Sequence, residues 1–256
     1  MDYQRILIEE KAETKKIVLN RPEKRNSLDE LMIEELTDAM NKFSNDEDTK
    51  SITISGAGGN FCSGLFLDYL QKISEYDILQ NKDDSRRFKD LLVAIYNNRK
   101  PTIAMVEGYA LAGGCGIASA CDLVVASKTA QFGYTEVKIG FIPAIVMIFL
   151  MKRVTEAHAK DLLLTSRFVM GDEAHRIGFA NYVTEPGELE DFTDKLCAGL
   201  NKLPLSSLKL TKEMFGNVSN MSFEAALEYA VDLNAITRMT DECKKGVSNF
   251  LNKVNK

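Results

Sequence analysis

Two features of this chain could do chemistry: a carboxylate set among apolar side chains, and a cluster of glycines about twenty residues ahead of it. The carboxylate is Glu136, in F-G-Y-T-E-V-K-I-G-F-I (132–142). The glycines are Gly108, Gly113, Gly114 and Gly116, in V-E-G-Y-A-L-A-G-G-C-G-I-A-S-A-C-D (106–122). Glycine lets a backbone take unusual dihedrals and approach a ligand closely. An apolar run from Thr102 to Val106 precedes this cluster, and an Ala-rich segment, Ile117 to Ala120, follows it. That order reads as strand, glycine turn, helix start. A helix start leaves N–H donors free and carries partial positive charge, so it can hold an anion or an oxyanion.

Other chemistries have less support. His158 and His175 are the only histidines, too few for a ligand pair or a Ser-His-Asp triad. The five cysteines (Cys62, Cys115, Cys121, Cys197, Cys243) are scattered and form no C-x-x-C, so no metal site is expected. They read as reduced thiols and mostly core filler, which points to a cytoplasmic protein. Gly56, Gly58 and Gly59 come near a dinucleotide-binding pattern, but Phe61 stands where the last glycine belongs. A net charge of −5 gives no basic footprint for nucleic acid. The longest apolar run, Phe141 to Met151, is about half a bilayer span, and no secretory leader is expected at the start.

The elements that must position these groups follow from periodicity. Arg5 to Glu9 and Lys16 to Asn20 read as opening strands around a polar turn, K-A-E-T. Ser27, with Glu30 three residues on, has the pattern of a capping box, and Leu28 to Phe43 has helical spacing. Strands are expected at Ser51 to Ser55, Leu123 to Ala126 and Ala180 to Val183, with a short one at Gln131 to Tyr134. The charge-rich stretch Ile73 to Arg87 reads as a mobile loop over the site, followed by a helix carrying Phe88, Leu91, Leu92, Ile95 and Tyr96. Pro143 suits a first helical turn, and Ala144 to Arg153 reads as a buried helix. Helices are also expected at Glu156 to Leu164, within Gly171 to Gly178, and from Leu189 to the end. The class is α/β, with a core over residues 1–190 and a helical region over 191–256 for self-packing and oligomerisation.

Four segments in order carry a resemblance: L-N-R-P-E-K-R-N-S-L (19–28), F-C-S-G-L-F-L (61–67), the glycine segment (106–122) and F-G-Y-T-E-V-K-I-G-F-I-P (132–143). Together they resemble the crotonase superfamily, the enoyl-CoA hydratase/isomerase group. The resemblance implies a spiral of repeated ββα units, C-terminal helices that assemble a homotrimer or a dimer of trimers, and a CoA- or acyl-carrier-thioester substrate. No separate cofactor is implied. The oxyanion donors it implies are the backbone N–H groups of Leu65 and Gly113, with Glu136 as catalytic acid. Its substrate-contact set falls on Lys24, Arg25, Phe66, Leu67, Asp68, Tyr109, Gly114 and Gly116.

The chain also departs from the pattern. The best-known hydratases resembled here carry two glutamates, and the first would fall on Gly116. Two carboxylates allow one to activate water while the other protonates carbon, whereas a single one can shuttle a proton between carbons. The sequence is similar to methylglutaconyl-CoA hydratase-like members, and to enzymes of polyketide β-branching, that also lack the first glutamate. Ala144, Ile145 and Val146 replace a usual glycine run and make the acyl end bulkier. Asp68 and Tyr69 either line the pocket or begin a solvated helix. Tyr109 and Tyr134 either bond the acyl group or pack as aromatics. Glu107 and Asp122 read as structural. The expected activity is hydration or dehydration of a 2-enoyl thioester. The alternatives are a Δ3-Δ2-enoyl-CoA isomerase and a crotonase-fold subunit whose chemistry has lapsed.

Overall fold

Residues 3–254 are described by a computed structural model. The chain opens with a hairpin, β1 (Ile6–Lys11) and β2 (Thr14–Leu19), whose two-residue turn places Ala12 at φ 50°. The expected strands therefore shift, and the turn is tighter than K-A-E-T suggests. Helix α1 (Glu30–Asn45) follows. Its cap is Asp29 rather than Ser27: the carboxylate accepts the Met32 N–H at 2.9 Å, while the Ser27 hydroxyl is buried without a partner.

Next come β3 (Ser51–Gly56), α2 (Leu67–Ser74) and α3 (Ile78–Tyr96). The stretch 73–87 is thus mostly helix and not a loop. Asp77 accepts the Leu79 and Gln80 N–H groups at 2.8 Å, and the Gln80 side chain accepts the Asp77 N–H at 2.9 Å. This capping box starts α3 ten residues ahead of its apolar stripe, and the charges of the first turns face water. The chain continues through β4 (Thr102–Val106), β5 (Tyr109–Leu111), α4 (Gly113–Ala120), β6 (Leu123–Ser127) and β7 (Gln131–Gly133). Then come α5 (Ala144–Leu150), α6 (Glu156–Thr165), β8 (Val169–Met170), α7 (Gly171–Arg176) and β9 (Tyr182–Thr184). Helix α5 turns Val146, Phe149 and Leu150 inward but leaves Ile148 57% exposed, so the expected buried helix is buried on one face only. Pro143 precedes its first turn as the cap.

Six strands form one sheet in the order β1-β2-β3-β4-β6-β9, parallel except for the opening hairpin. A smaller sheet has the order β5-β7-β8. Successive turns of the chain give one strand to the larger sheet and the next to the smaller, which produces a spiral. The main core packs α1, α3 and α4 against one face of the larger sheet. Helix α8 (Leu189–Leu200) covers the other face, with Leu189 and Cys197 on Ile103, Met105 and Val125. Helices α9 (Leu205–Val218), α10 (Phe223–Met239) and α11 (Asp241–Val254) follow, and they carry exposed apolar side chains including Phe215, Phe223, Met239 and Phe250. Among the described residues no helix is long and apolar enough to cross a membrane.

The position of the α1 cap can be tested. Asp29 also pairs with Arg5 and with the buried Arg21, both at 2.9 Å. Asp29→Ala is expected to lose about 2 kcal/mol in urea unfolding, and Ser27→Ala less than about 0.5 kcal/mol. The reverse order would restore the cap to Ser27.

Candidate active site

Backbone rungs stack three turns of the spiral. Cys62 N–H donates to Tyr109 O at 2.8 Å, and Leu111 N–H donates to Cys62 O at 2.9 Å. Beside them, Ala110 pairs with Phe132 and Leu111 with Gly133. Leu65 lies three residues beyond Cys62, Gly113 three beyond Ala110, and Glu136 three beyond Gly133. The stacking therefore delivers all three to one end of the small sheet.

Leu65 is held by an isolated bridge to Leu28. Leu28 N–H donates to Gly64 O at 2.7 Å, and Phe66 N–H donates to Leu28 O at 2.9 Å. These bonds use the flanking peptide groups, so the Leu65 N–H points away from Leu28 and finds no acceptor among the described residues. The Gly113 N–H is also free, because the first bond inside α4 runs from Gly116 N–H to Ala112 O at 3.0 Å. No side chain caps that helix. Ala112, just before it, sits at φ 48°, ψ −114°, a conformation that costs a residue with a Cβ about 1–3 kcal/mol. Its N–H donates to Gly133 O at 2.8 Å, which ties the glycine segment to the Glu136 segment. Gly114 is glycine for a steric reason: a Cβ there would lie 2.3 Å from Cys62 O.

Glu136 opens a 3-10 turn, Glu136–Ile139. The residue is half-buried, but its Oε2 is enclosed and has no hydrogen-bond partner. Burial raises its proton affinity, and the opposing influence is its own backbone N–H. A half-buried carboxylate whose enclosed oxygen has no partner is suited to take up and release a proton.

At Gly116 the wall is apolar. A Cβ there would lie 2.6 Å from Val146 Cγ1 and 3.4 Å from both Leu92 Cδ1 and Phe88 Cζ. Phe88 also reaches the Gly113 face of α4. Val146 was expected to make the acyl end bulkier, whereas Phe88 was legible in the sequence only as an apolar helix residue and the strain at Ala112 had no sequence signal.

The remaining candidates divide. Lys24 ends a 3-10 turn, Pro22–Lys24, and Arg25 and Asn26 follow at φ 49° and 54°. The Asn26 side chain donates to Ala57 O and Asn60 O and accepts the Arg21 N–H, which holds that turn. Arg21 and Lys24 lie 4.7 and 5.1 Å from the Phe66 ring, and Arg25 lies 5.4 Å from the Tyr109 ring. Lys24, Arg25, Phe66 and Tyr109 thus gather beside the Leu65 segment. Leu67 and Asp68, by contrast, begin α2 exposed. Asp68 and Phe66 line a cleft of about 450 Å³ with Asp29, Glu30, Tyr69 and Lys72, and neither Gly113 nor Glu136 lines it. Tyr69 is buried and donates to Asp84. Tyr134 is buried in the main core, with its carbonyl accepting from Ser166. Asp122 is structural: it accepts from Thr102 N–H, Thr102 Oγ1 and Lys212 Nζ at 2.7–2.9 Å. Glu107 is exposed and contributes its carbonyl to Phe61 N–H. His175 Nδ1 lies 3.1 Å from Ala180 O, and His158 is exposed. All five cysteines are free, and burial pushes the Cys62 thiol up to about 12.

An α/β spiral of this topology, with two unpaired backbone donors and an enclosed carboxylate oxygen carried to one end of its small sheet, has the architecture of a crotonase-type enzyme. The enoyl-CoA hydratase/isomerase family profile matches residues 9–256, and the chain belongs to that family. A Thermus thermophilus protein named provisionally as an enoyl-CoA hydratase is 37% identical, over 95% of this chain and 96% of that relative. A crotonyl-CoA hydratase of Syntrophomonas wolfei is 29% identical, over 99% and 97%. The crystal structure of an enoyl-CoA hydratase from Mycobacterium smegmatis superposes with a TM-score of 0.93 at 27% identity, covering 98% of this chain and 97% of that one.

Two outcomes follow for stability. Gly116→Ala is expected to cost about 1–2 kcal/mol by overpacking, and adding Val146→Ala should recover most of it in a double-mutant cycle. Additive losses would show that the two residues do not share that space. The raised Glu136 pKa means the folded chain binds more protons than the unfolded chain between the ordinary value of 4.5 and the folded value. This group's contribution to stability therefore falls as pH rises through that window and stays lower at pH 7. Glu136→Gln is expected to raise Tm at pH 7 and to give no gain below about pH 4.

Proposed function

We propose that this enzyme adds or removes water across the 2,3 double bond of an acyl-CoA thioester, with Glu136 as its one acid–base group. The observation that carries this reading is the pair of unpaired N–H donors, Leu65 and Gly113, at the same end of the small sheet as the unpaired Glu136 oxygen. Attack at C3 of a 2-enoyl thioester moves electrons onto the carbonyl oxygen. Two fixed donors hold that enolate oxygen, each contributing about 3 kcal/mol to lowering the barrier. Glu136 as carboxylate takes a proton from water while the oxygen bonds to C3. The resulting carboxylic acid then delivers that proton to C2, and the carbonyl reforms. One acid serving both steps works from one face, so the two additions are syn. Burial keeps the carboxyl's proton affinity above the ordinary range, which suits the delivery step.

Lys24 and Arg25 are proposed to contact the phosphate or adenine of CoA, beside Phe66 and Tyr109. The exposed apolar side chains of α9, α10 and α11 support self-association into a trimer or a dimer of trimers through residues 191–256. A second reading, Δ3-Δ2 isomerisation, is favoured by the apolar wall at Gly116 and Val146, because moving a proton from C2 to C4 requires no water.

Incubation with 2-enoyl-CoA, 3-enoyl-CoA and 3-methylglutaconyl-CoA, followed by thioester absorbance and mass, separates the readings. Gain of one water is expected, whereas migration of the double bond without mass change would establish the isomerase. Glu136→Gln is expected to lower kcat by about 10²–10⁴-fold, and full activity in that variant would remove Glu136 from the mechanism. Lys24→Ala with Arg25→Ala should raise KM with little effect on kcat.

A further inference from the structure

Helix α4 has no side-chain cap at its start, yet its far end is firmly held. Arg153, just beyond α5, donates from Nε to Ser119 O at 2.9 Å and from Nη2 to Cys121 O. Its Nη1 donates to Phe179 O at 3.2 Å and to Asn181 Oδ1 at 3.3 Å. Asn181 Oδ1 also accepts the Val124 N–H at 2.8 Å, so one guanidinium joins the end of α4 to β6 and to the turn before β9. All four acceptors are neutral oxygens. Burial weakens the guanidinium's hold on its proton, and the nearby Asp122 is already engaged by Thr102 and Lys212. A partly buried cation without its own carboxylate is costly, and here the carbonyls at the negative end of the helix dipole offset that cost. Eight residues at about 1.5 Å each put this contact roughly 12 Å behind Gly113.

We propose that Arg153 is a positioning residue for the oxyanion site, fixing α4 from behind so that the Gly113 N–H stays aimed at the thioester oxygen. It touches no substrate. Its planar fork fixes both the axial position and the rotation of a short helix whose N-terminal end must stay unpaired for the ligand. A point charge on a flexible stem cannot reach four acceptors in that way. The role rests on the reading that Leu65 and Gly113 bind the thioester carbonyl. Its signature is a loss at the step where negative charge develops, with ground-state binding little changed.

The test compares wild type, Arg153→Gln and Arg153→Lys in two measurements. One is turnover of crotonyl-CoA, and the other is the infrared carbonyl stretch of bound butyryl-CoA, which is saturated and does not react. In wild type the bound stretch should lie below that of free butyryl-CoA. Arg153→Gln should move it back toward the free value and lower kcat by about tenfold or more. KM should stay within about threefold of wild type. Arg153→Lys should recover part of both effects. A wild-type stretch in Arg153→Gln overturns the proposal, whether or not kcat falls. If Arg153→Gln does not fold, Arg153→Lys decides: an intermediate stretch supports the role, and wild-type values overturn it. Absence of any shift in wild type would instead remove the oxyanion reading of Leu65 and Gly113.

Discussion

The site depends on main-chain hydrogen bonds between neighbouring turns of the spiral. Cys62 and Tyr109 share one rung, Leu111 and Cys62 a second, and Ala112 and Gly133 a third. Each rung fixes where the chain leaves the small sheet, and each exit carries one candidate group a few residues on. A one-residue slip in any rung would turn the following segment over, because strand side chains alternate faces. The large sheet and its helices supply the rigidity that keeps these short pairings in register.

Several groups at the candidate site are unusual for a folded chain. Ala112 holds a strained conformation, two N–H groups lack acceptors, and a carboxylate oxygen is enclosed without a donor. Buried polar atoms are normally satisfied, so the enclosed Glu136 oxygen is informative. The two N–H groups and the carboxylate oxygen also leave hydrogen-bonding positions open. The close packing of Gly113, Gly114 and Gly116 against Leu28, Cys62 and Val146 holds the local backbone despite them.

Much of the candidate site was legible because its parts are local in sequence. The glycine segment, Glu136, and the alternation of strands and helices followed by helices alone all come from short windows. Some of what was missed depends on contacts distant in sequence. β5 and β8 have three and two residues, too few for periodicity, and exist because β7 lies between them. The helical start at Ile78 was hidden because its first turns face water, so the charges that suggested a loop were a solvated helix face. Ser27 looked like a cap by its spacing to Glu30, but Asp29 takes that role while also pairing with Arg5 and Arg21. The filling of the Gly116 space by Val146 joins residues thirty positions apart, and no local pattern encodes it.

The approach of Gly114 to Cys62 is a contact of main chain with main chain: a single added carbon would lie 2.3 Å from a carbonyl oxygen. The separation of the Leu65 and Gly113 segments is therefore set mainly by main-chain contact at this point. The surrounding walls, made by Val146, Phe88 and Leu92, consist entirely of exchangeable side chains. Substitutions in these walls can thus reshape the space beside Gly116 without moving the Gly114–Cys62 contact. Gly116 and Val146 share one such exchangeable space, 2.6 Å apart once a single carbon is added.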